Sequence, residues 1–287
     1  MSKTLVLIAS YPKSGNTWVR LFLENLRRGA GEPVSINDIG TGIYGHERRR
    51  LFDHLAPALA SELSPDQQER FLPAVFAHLA IEARECLVVK THDRARMTSA
   101  GDWLIPPEHV RAVVYITRHP FDVALSYAHH RGVSVAQAAA DLCDEGHAIA
   151  WSDDRLHLPL SEKVGSWSTN VASWLDAPLY PVHHVRYEDM YAAPLQTFSR
   201  LACAAGLDAS EAAIASAIAA TSFENFAAEE SRSGFAERPA ASRAFFRSGR
   251  PGQGGEQLDR RLRQQIVDAN RAVMRFCGYE EGGAYSA

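Results

Sequence analysis

The chain has 287 residues, of which 46% are hydrophobic, so it can bury one substantial core, and one domain over residues 1–287 is favoured over two. Its formal net charge of −4 excludes a global basic field, so neither nucleic acid nor insertion into a membrane is expected. The N-terminal apolar run is too short for a signal peptide, and no run reaches membrane-spanning length. The four cysteines lie far apart, without metal-ligand spacing, at Cys86, Cys143, Cys203 and Cys277. Reduced thiols and a cytoplasmic location are therefore expected.

Apolar, β-branched runs predict buried strands at residues 5–9, 86–90, 112–117 and 182–186. Helical periodicity falls between and after these runs, at residues 17–28, 120–130, 162–175, 194–205, 210–220 and 257–276. This alternation predicts an α/β fold in which a central, mostly parallel sheet is flanked by helices on both faces. Residues 132–160 are hard to assign, and residues 225–255 are predicted to be irregular. Such segments are often lids or binding loops, although a surface excursion without a role is an equal alternative for the first.

The most informative stretch is the turn at residues 11–18, Tyr-Pro-Lys-Ser-Gly-Asn-Thr-Trp, which joins the first strand to the first helix. Free backbone N–H groups at a helix N-terminus, with Lys13 in front of them, form a site for an anion. The loop of nucleotide triphosphatases has the order G-x-x-x-x-G-K-[ST], whereas Lys13 precedes the glycine of this turn, Gly15. The turn therefore predicts a site for a phosphate-like group that is not bound in the ATPase manner. An ordinary βα turn, in which Gly15 and Asn16 permit tight geometry, is the alternative.

Two candidate catalytic side chains follow the second strand. Lys90 and His92 are two residues apart, so both are expected to face the same side. A neutral imidazole, with an ordinary pKa of about 6.5, can take a proton from an acceptor hydroxyl. A surface histidine beside a lysine whose stem packs on apolar residues is the alternative.

A second anion site is predicted where the third strand ends, in Arg-His-Pro-Phe-Asp-Val-Ala-Leu-Ser at residues 118–126. The planar guanidinium of Arg118 suits a phosphate. Ser126 lies within the helix that follows, where a hydroxyl that bonds back to a carbonyl is the alternative. Lys13, His92, Arg118 and Tyr187 each follow a different predicted strand. Since ligands of parallel α/β sheets bind beyond the carboxyl ends of the strands, the four side chains are expected to share one site.

Residues 11–18 resemble the 5′-phosphosulfate loop of the cytosolic-type sulfotransferases, which take sulfate from 3′-phosphoadenosine 5′-phosphosulfate (PAPS). Matching segments follow in the family's order, at residues 90–92, 118–126, 186–190, 221–224 and 246–252. The resemblance implies a single sulfotransferase domain, similar in fold to nucleotide kinases but with the altered phosphosulfate-binding loop. It implies transfer of a sulfuryl group from PAPS to an acceptor hydroxyl, with 3′-phosphoadenosine 5′-phosphate (PAP) as product. No metal is required by this reaction.

The resemblance also assigns roles to residues. It implies that His92 is the general base, that Lys13 stabilises the leaving phosphate and that Lys90 lies near the sulfuryl oxygens. Ser126 would hold Lys13 away from the sulfate until the acceptor arrives. The implied cofactor-binding residues are Lys13, Ser14, Gly15, Asn16, Thr17, Trp18, Arg118, Ser126, Tyr187, Thr221, Phe223, Arg247, Ser248 and Gly249. Trp18 and Phe223 would enclose the adenine, although core packing is the commoner role of an aromatic side chain.

The segment at residues 246–252 departs from the family pattern. Ser248 replaces a lysine, and Gly254 and Gly255 stand where an aromatic residue and a second lysine are expected. The clamp on the 3′-phosphate is therefore expected to be thinner, with Arg250 as a candidate replacement. The family's dimerisation segment is not visible at residues 258–265, so the oligomeric state is left open.

Several other polar groups are given simpler interpretations. The arginine run at residues 48–50 is predicted to be a solvated charge run, with guidance of an anionic acceptor as the alternative. The histidine pairs at 129–130 and 183–184 are predicted to be structural or to face solvent. Glu188 and Asp189 are candidates for capping the helix that begins after Pro194.

The acceptor is predicted to be a small-molecule alcohol, phenol or glycan. The expected acceptor loops are residues 35–50, 93–103 and 132–160, which hold Tyr44, His46, Arg94, Arg96, Trp103, Trp151 and His157. The alanine- and arginine-rich composition is compatible with a bacterial source. Two alternatives stay open: a phosphoryl-transferring kinase on the same fold, disfavoured by the order of the loop, and a nucleotide-binding relative without catalysis.

Overall fold

The computed structural model describes residues 4–29, 31–39, 46–150 and 159–282. Its strands are β1 (Leu5–Ser10), β2 (Leu87–Thr91), β3 (Val110–Thr117), β4 (Ala148–Ile149), β5 (Glu162–Lys163) and β6 (Val182–Arg186). A four-stranded sheet has the order β2-β1-β3-β6, and all its pairs are parallel. The short strands β4 and β5 form a separate antiparallel pair. The predicted α/β class with a central parallel sheet is confirmed.

Helices cover both faces of this sheet. They are α1 (Asn16–Arg28), α2 (His46–Leu55), α3 (Pro65–Glu82), α4 (Pro120–Arg131), α5 (Val135–Cys143), α6 (Trp167–Leu175), α7 (Tyr187–Ala192), α8 (Pro194–Ala204), α9 (Glu211–Ala220), α10 (Phe223–Ser233), α11 (Gln253–Gln257) and α12 (Arg260–Phe276). None of the helices among the described residues is long and apolar enough to cross a membrane.

The two faces of the sheet follow from the alternation of side chains along β1. Leu5 and Leu7 face a core shared with α3, α4, α5, α6 and α12, whereas Val6 and Ile8 face a core shared with α1, α8 and α9. All six residues of β1 are buried. A continuous apolar strand is typical of a parallel sheet that is covered on both sides.

The register of the sheet places the carboxyl ends of the four strands at one edge. Ala9 pairs with Thr91 of β2, and Ser10 pairs with Ile116 of β3, so these three strands end within about one residue of each other. Arg186, the last residue of β6, pairs with Thr117. The turns that follow the strands therefore begin side by side.

Two predicted helix boundaries are wrong for local reasons. The helix predicted at 162–175 begins only at Trp167, because Gly165 has φ +72° and the Ser166 hydroxyl accepts from the Thr169 amide at 3.0 Å as an N-cap. The helix predicted at 257–276 is interrupted where Leu258 becomes extended and Asp259 caps α12.

The prediction of an irregular segment at 225–255 is wrong at both ends, where α10 and the start of α11 lie. Ser222 caps α10 by accepting from the Asn225 amide at 3.2 Å. The unassigned segment at 132–160 contains α5, capped in the same way by Ser134. The helices α2, α3 and α7 were not predicted. Glu188 and Asp189 do not cap α8, whose N-cap residue is Ala193.

Gly254 explains one departure from the family pattern. A Cβ atom at this position would meet the backbone of Phe121 and would lie 2.6 Å from the Asp122 amide nitrogen. The Gly254 and Gly252 amides donate to the Asp122 carboxylate at 2.6 and 2.7 Å. Helix α11 thus packs directly on the first turn of α4, and a larger residue is excluded there by backbone rather than by a movable side chain.

We expect Gly254→Ala to lower the free energy of unfolding by about 2 kcal/mol or more, because the added methyl group overpacks a contact between two backbones. Urea denaturation followed by tryptophan fluorescence measures this loss. Gly31→Ala is the matched control, because a Cβ at Gly31 would meet nothing within 4 Å. Equal stability of the two variants would contradict the packing explanation.

Candidate cofactor-binding and catalytic site

A cavity of about 1480 Å³ opens beyond the carboxyl edge of the sheet. It exceeds the roughly 300–1,000 Å³ of common ligand pockets, so it has room for two reactants. The predicted site residues that line it are Lys13, Gly15, Asn16, Thr17, Trp18, Lys90, His92, Arg118, Ser126, Tyr187, Thr221, Phe223 and Gly249. Ser14, Arg247 and Ser248 are not among its lining residues.

The turn at residues 11–18 is shaped by two residues with positive φ. Lys13 has φ +69° and Gly15 has φ +108°, and Gly15 is the N-cap residue of α1. A Cβ at Gly15 would lie 2.7 Å from Cδ2 of Tyr187, so only glycine fits. The Asn16 amide group donates to the Ile8 carbonyl at 2.9 Å, which fixes the helix to β1. No side chain caps α1, so its N-terminal N–H groups point to a site for an anion.

Three buried donors near this turn have no hydrogen-bond partner among the described residues. They are the hydroxyl of Ser14, Nε1 of Trp18 and Nε of Arg118. Leaving such a group unpaired costs about 1–3 kcal/mol, so a ligand rich in acceptor oxygens would stabilise this region. The residues present therefore fit a polyanionic nucleotide.

Lys13 is half-buried and has no carboxylate partner within ion-pair distance among the described residues. Its ammonium lies 3.4 Å from Nδ1 of His130 and 3.5 Å from the ring centroid of Phe245. Burial, and secondarily the charges of Lys90 and Arg118, lower the pKa of Lys13 to about 7. Burial likewise lowers the pKa of Lys90, although a 3.6 Å ion pair with Glu237 opposes the shift.

His92 is held in a defined tautomer. Its Nδ1 lies 2.7 Å from the carbonyl oxygen of Ser10, which can only accept, so Nδ1 carries the proton. Burial, followed by the charge of Lys90, lowers the pKa of His92 to about 4, and the ring is neutral at physiological pH. Its Nε2 therefore has a free lone pair and no partner among the described residues. This is the arrangement that a general base needs.

A buried ion pair between Arg48 and Glu162 holds the backbone at His92. Glu162 accepts from the His92 amide at 2.9 Å and pairs with Arg48 at 2.8 Å. Arg48 and the other cations outweigh the effect of burial and lower the pKa of Glu162 to about 2. Arg48 is only 3% exposed, so the prediction of a solvated charge run is wrong for this residue. The sequence gives no local signal for the pair, because its partners are more than a hundred residues apart.

Arg118 lies between the turn at residues 11–18 and the segment after α10. Its guanidinium donates to the carbonyl groups of Lys13 and Arg250, both at 3.3 Å, and stacks 4.2 Å from the ring centroid of Tyr187. Tyr187 in turn donates to the Gly249 carbonyl at 2.5 Å. The residues predicted at the ends of β1, β3 and β6 are thus brought into contact. Ser126 lines the same cavity.

The predicted adenine-binding residues line one part of the cavity. Trp18 packs edge-on against Tyr187 and Phe198, with ring centroids 5.8 and 5.2 Å apart. Phe223 lies against Gly249, where a Cβ would be 2.5 Å from its ring. At the end of α9 the hydroxyl of Thr221 donates to the Ala217 carbonyl at 2.8 Å, so its oxygen can still accept a hydrogen bond.

In the segment at 246–252, the side chains of Arg247 and Ser248, both predicted to bind the cofactor, bond to Gln253 instead. Arg247 is exposed and donates to the side-chain oxygen of Gln253 at 3.1 Å, while the Gln253 amide group donates to the Ser248 hydroxyl at 2.5 Å. The side chain of Arg250 is also exposed. Asp122 holds the end of the segment through Gly252 and Gly254.

The cavity lining also includes polar residues that the sequence analysis did not place in the site, among them His130 and Glu237. His130, predicted to be structural or solvent-facing, lines the cavity and contacts Lys13. Its position one helical turn after Ser126 was the available signal. Glu237 also lines the cavity and pairs with Arg20 at 2.5 Å as well as with Lys90. Nothing local marks Glu237, because its segment has no periodicity.

The acceptor loops are only partly described. Residues 36–39, 148–150 and 159–160 line the cavity, but Arg94, Arg96 and Trp103 do not. Arg96 instead pairs with Glu69 at 2.9 Å. Tyr44, Trp151, His157 and the side chain of His46 lie outside the described residues. Within the described residues no group of three or more His, Cys, Asp or Glu side chains is arranged to hold a metal ion.

The parallel sheet, with a tight turn from its first strand into the uncapped N-terminus of α1, defines a P-loop-like α/β fold. The model of the sulfotransferase domain family matches residues 3–278, and the chain belongs to that family. The chain is also similar to solved structures, including a mouse sulfotransferase complexed with PAP, with 18% identity, a TM-score of 0.60 and coverage of 96% of this chain and 85% of that one. Retinol dehydratase in complex with androsterone and inactive cofactor PAP gives 18% identity, a TM-score of 0.59 and coverage of 96% and 82%. At these identities the likeness shows the fold.

We expect Arg48→Met to lower the free energy of unfolding by about 3 kcal/mol or more, because it leaves the Glu162 carboxylate buried without its partner. Urea denaturation at neutral pH measures the change. Arg50→Met, at an exposed position on the same helix, is the control and should cost no more than about 0.5 kcal/mol. Similar losses in both variants would show that the buried pair does not support the site.

Proposed function

We propose that the chain is a PAPS-dependent O-sulfotransferase. One observation carries this proposal: a single cavity is lined by two cations, Lys13 and Arg118, and by the neutral His92. The two cations follow adjacent strands of the sheet. Two separated cations match a nucleotide with phosphate groups on both sides of its ribose. Membership of the sulfotransferase family sets the kinase alternative aside.

The chain's own residues provide a place for each part of PAPS, which supplies the sulfuryl group. The turn at residues 13–18 and the N-terminus of α1 would bind the 5′-phosphosulfate. Arg118 and Ser126 would bind the 3′-phosphate. Tyr187, which donates to the Gly249 carbonyl, would support Arg118 by stacking on its guanidinium. Trp18 and Phe223 would enclose the adenine beside Thr221. Arg247 and Ser248 would contribute only after a rearrangement, since both now bond to Gln253.

His92 would remove the acceptor proton at Nε2. The Ser10 carbonyl keeps the other ring nitrogen protonated and so directs the lone pair of Nε2 to the acceptor. The positive charge that forms on the ring would be balanced by the nearby Glu162 carboxylate. Lys13 would place its charge on the oxygen of the leaving phosphate, and Lys90 would lie beside the sulfuryl oxygens.

The acceptor is proposed to be a small-molecule alcohol, phenol or glycan. Two observations support a small molecule: the cavity has room beyond a nucleotide, and structures of retinol dehydratase hold androsterone or retinol with PAP. Glu237, His130 and Arg48 give this cavity a polar lining. The cytoplasmic location remains a prediction from the sequence.

Calorimetric titration of PAP into the protein without added metal tests the nucleotide class. We expect micromolar or tighter binding of PAP and much weaker binding of ATP, because ATP lacks a 3′-phosphate for Arg118. Absence of PAP binding, or a preference for ATP with magnesium, would overturn the proposal.

Catalysis is tested with His92→Asn in an assay of PAP release from PAPS over a panel of alcohols, phenols and glycans. We expect turnover to fall about 100-fold or more while PAP affinity changes little, because His92 acts on the acceptor proton. His183→Asn, exposed on β6, is the control. Strong PAP binding without turnover of any acceptor by the wild-type protein would favour the non-catalytic alternative.

A further inference from the structure

The segment that follows α12 returns to the carboxyl edge of the sheet. Tyr279 is 2% exposed, and its hydroxyl lies 2.9 Å from Oε2 of Glu188 and 2.9 Å from the hydroxyl of Thr117. Thr117 is the last residue of β3, and Glu188 is the second residue of α7, which follows β6. Tyr279 therefore connects the ends of two adjacent strands. The family resemblance assigns it no role, because the matching segments end at residue 252.

The Glu188 carboxylate joins the C-terminal segment to the start of α4. It is fully buried, and its two oxygens accept from different donors. Oε1 accepts from the His119 amide at 2.9 Å, and Oε2 accepts from the Tyr279 hydroxyl at 2.9 Å. Burial raises the pKa of Glu188, and these two hydrogen bonds oppose the shift. The position of the carboxylate is therefore defined at both oxygens.

The residues joined by this carboxylate lie directly beside two predicted nucleotide-binding residues. His119 directly follows Arg118 in the chain, and its amide is bonded to Glu188. Glu188 directly follows Tyr187, whose ring centroid lies 4.2 Å from the Arg118 guanidinium. The hydrogen bond therefore fixes the two partners of this stack relative to each other. Nε of Arg118 has no partner among the described residues, so the guanidinium has a donor left for a ligand.

The C-terminal segment also holds the side chain of His119. The ring centroids of His119 and Tyr279 are 5.2 Å apart, and Nε2 of His119 lies 3.0 Å from the Glu280 carbonyl oxygen. A carbonyl only accepts, so Nε2 carries the proton, and Nδ1 accepts from the Phe121 amide at 3.3 Å. Among the described residues that line the cavity, neither Tyr279 nor Glu188 is found. Any effect of theirs on a ligand therefore passes through the residues that they hold.

We propose that Tyr279 and Glu188 are positioning residues for the 3′-phosphate of the nucleotide, a proposal that rests on the proposed function. Tyr279 holds the Glu188 carboxylate, and this carboxylate holds the backbone at His119. The guanidinium of Arg118 is thereby kept where it meets the 3′-phosphate. Without the hydroxyl, one oxygen of a buried carboxylate loses its donor and turns towards the charge of Arg118. A carboxylate bonded to Arg118 would compete with the phosphate.

The test compares PAP with adenosine 5′-phosphate (AMP), which lacks the 3′-phosphate, by calorimetric titration. In Tyr279→Phe we expect the Kd of PAP to rise about tenfold and the Kd of AMP to change less than about twofold. A merely structural role would weaken both nucleotides alike or neither. Tyr180→Phe is the matched control, because it removes another buried hydroxyl, which donates to the Ile105 carbonyl at 2.5 Å outside the cavity lining. Neither affinity should change in the control.

Glu188→Gln separates the hydrogen bonds from the charge. The glutamine oxygen can accept from the His119 amide, and its amide group can donate to the Tyr279 hydroxyl, which then donates to Thr117. We therefore expect the Kd of PAP to stay within about threefold of the wild-type value. A tenfold loss in folded Glu188→Gln would show that the negative charge matters rather than the hydrogen bonds, and it would overturn the positioning role.

The outcomes separate this inference from the proposed function. If the wild-type protein fails to bind PAP, or binds AMP as tightly as PAP, the proposed nucleotide site is wrong and the inference falls with it. If the wild-type protein prefers PAP, and folded Tyr279→Phe keeps that preference to within about threefold, the inference alone is overturned. Equal weakening of PAP and AMP in Tyr279→Phe would likewise overturn it, since the loss would not be specific to the 3′-phosphate.

Discussion

The site depends on the enclosure of the Lys13 ammonium at the end of β1 without a carboxylate partner among the described residues. Lys90 and Arg118 are close enough to disfavour its charge further, and its pKa falls to about 7. A polyanion relieves this repulsion, whereas a fixed carboxylate would remove the need for a ligand. The enclosed lysine therefore supports the proposal that a phosphate-like group binds at this site.

The charged side chains beside His92 and Lys90 form ion pairs. The Arg48–Glu162 pair supports the His92 segment. Glu237 pairs with both Arg20 and Lys90. Lys13 has a positive φ, and two residues later Gly15 lies close against the ring of Tyr187. Paired carboxylates thus lie beside a lysine whose contacts, with a neutral imidazole and an aromatic ring, a ligand can replace.

Local pattern was sufficient for the sheet and for the turn that follows it. The run at Leu5–Ser10 is apolar because both faces are covered, and the lysine, glycine and hydroxyl residues after it are a compact motif. The roles of Arg48 and Glu237 were not predictable, because their partners are far apart in sequence and a charged residue without its partner resembles a solvated one. The helices α5 and α10 were missed although each begins at a serine N-cap, Ser134 and Ser222, which was the local signal for both.

The protons exchanged when PAP binds give the most direct test of the unpaired lysine. At pH 8 free Lys13 is mostly neutral, and a bound phosphate raises its pKa, so binding should take up about one proton per nucleotide. Calorimetry in two buffers of different ionisation enthalpy measures this number, which should be smaller in Lys13→Met. His92 and His130 stay neutral at this pH, since burial lowers the pKa of both. Binding without proton uptake, or with proton release, would contradict the account.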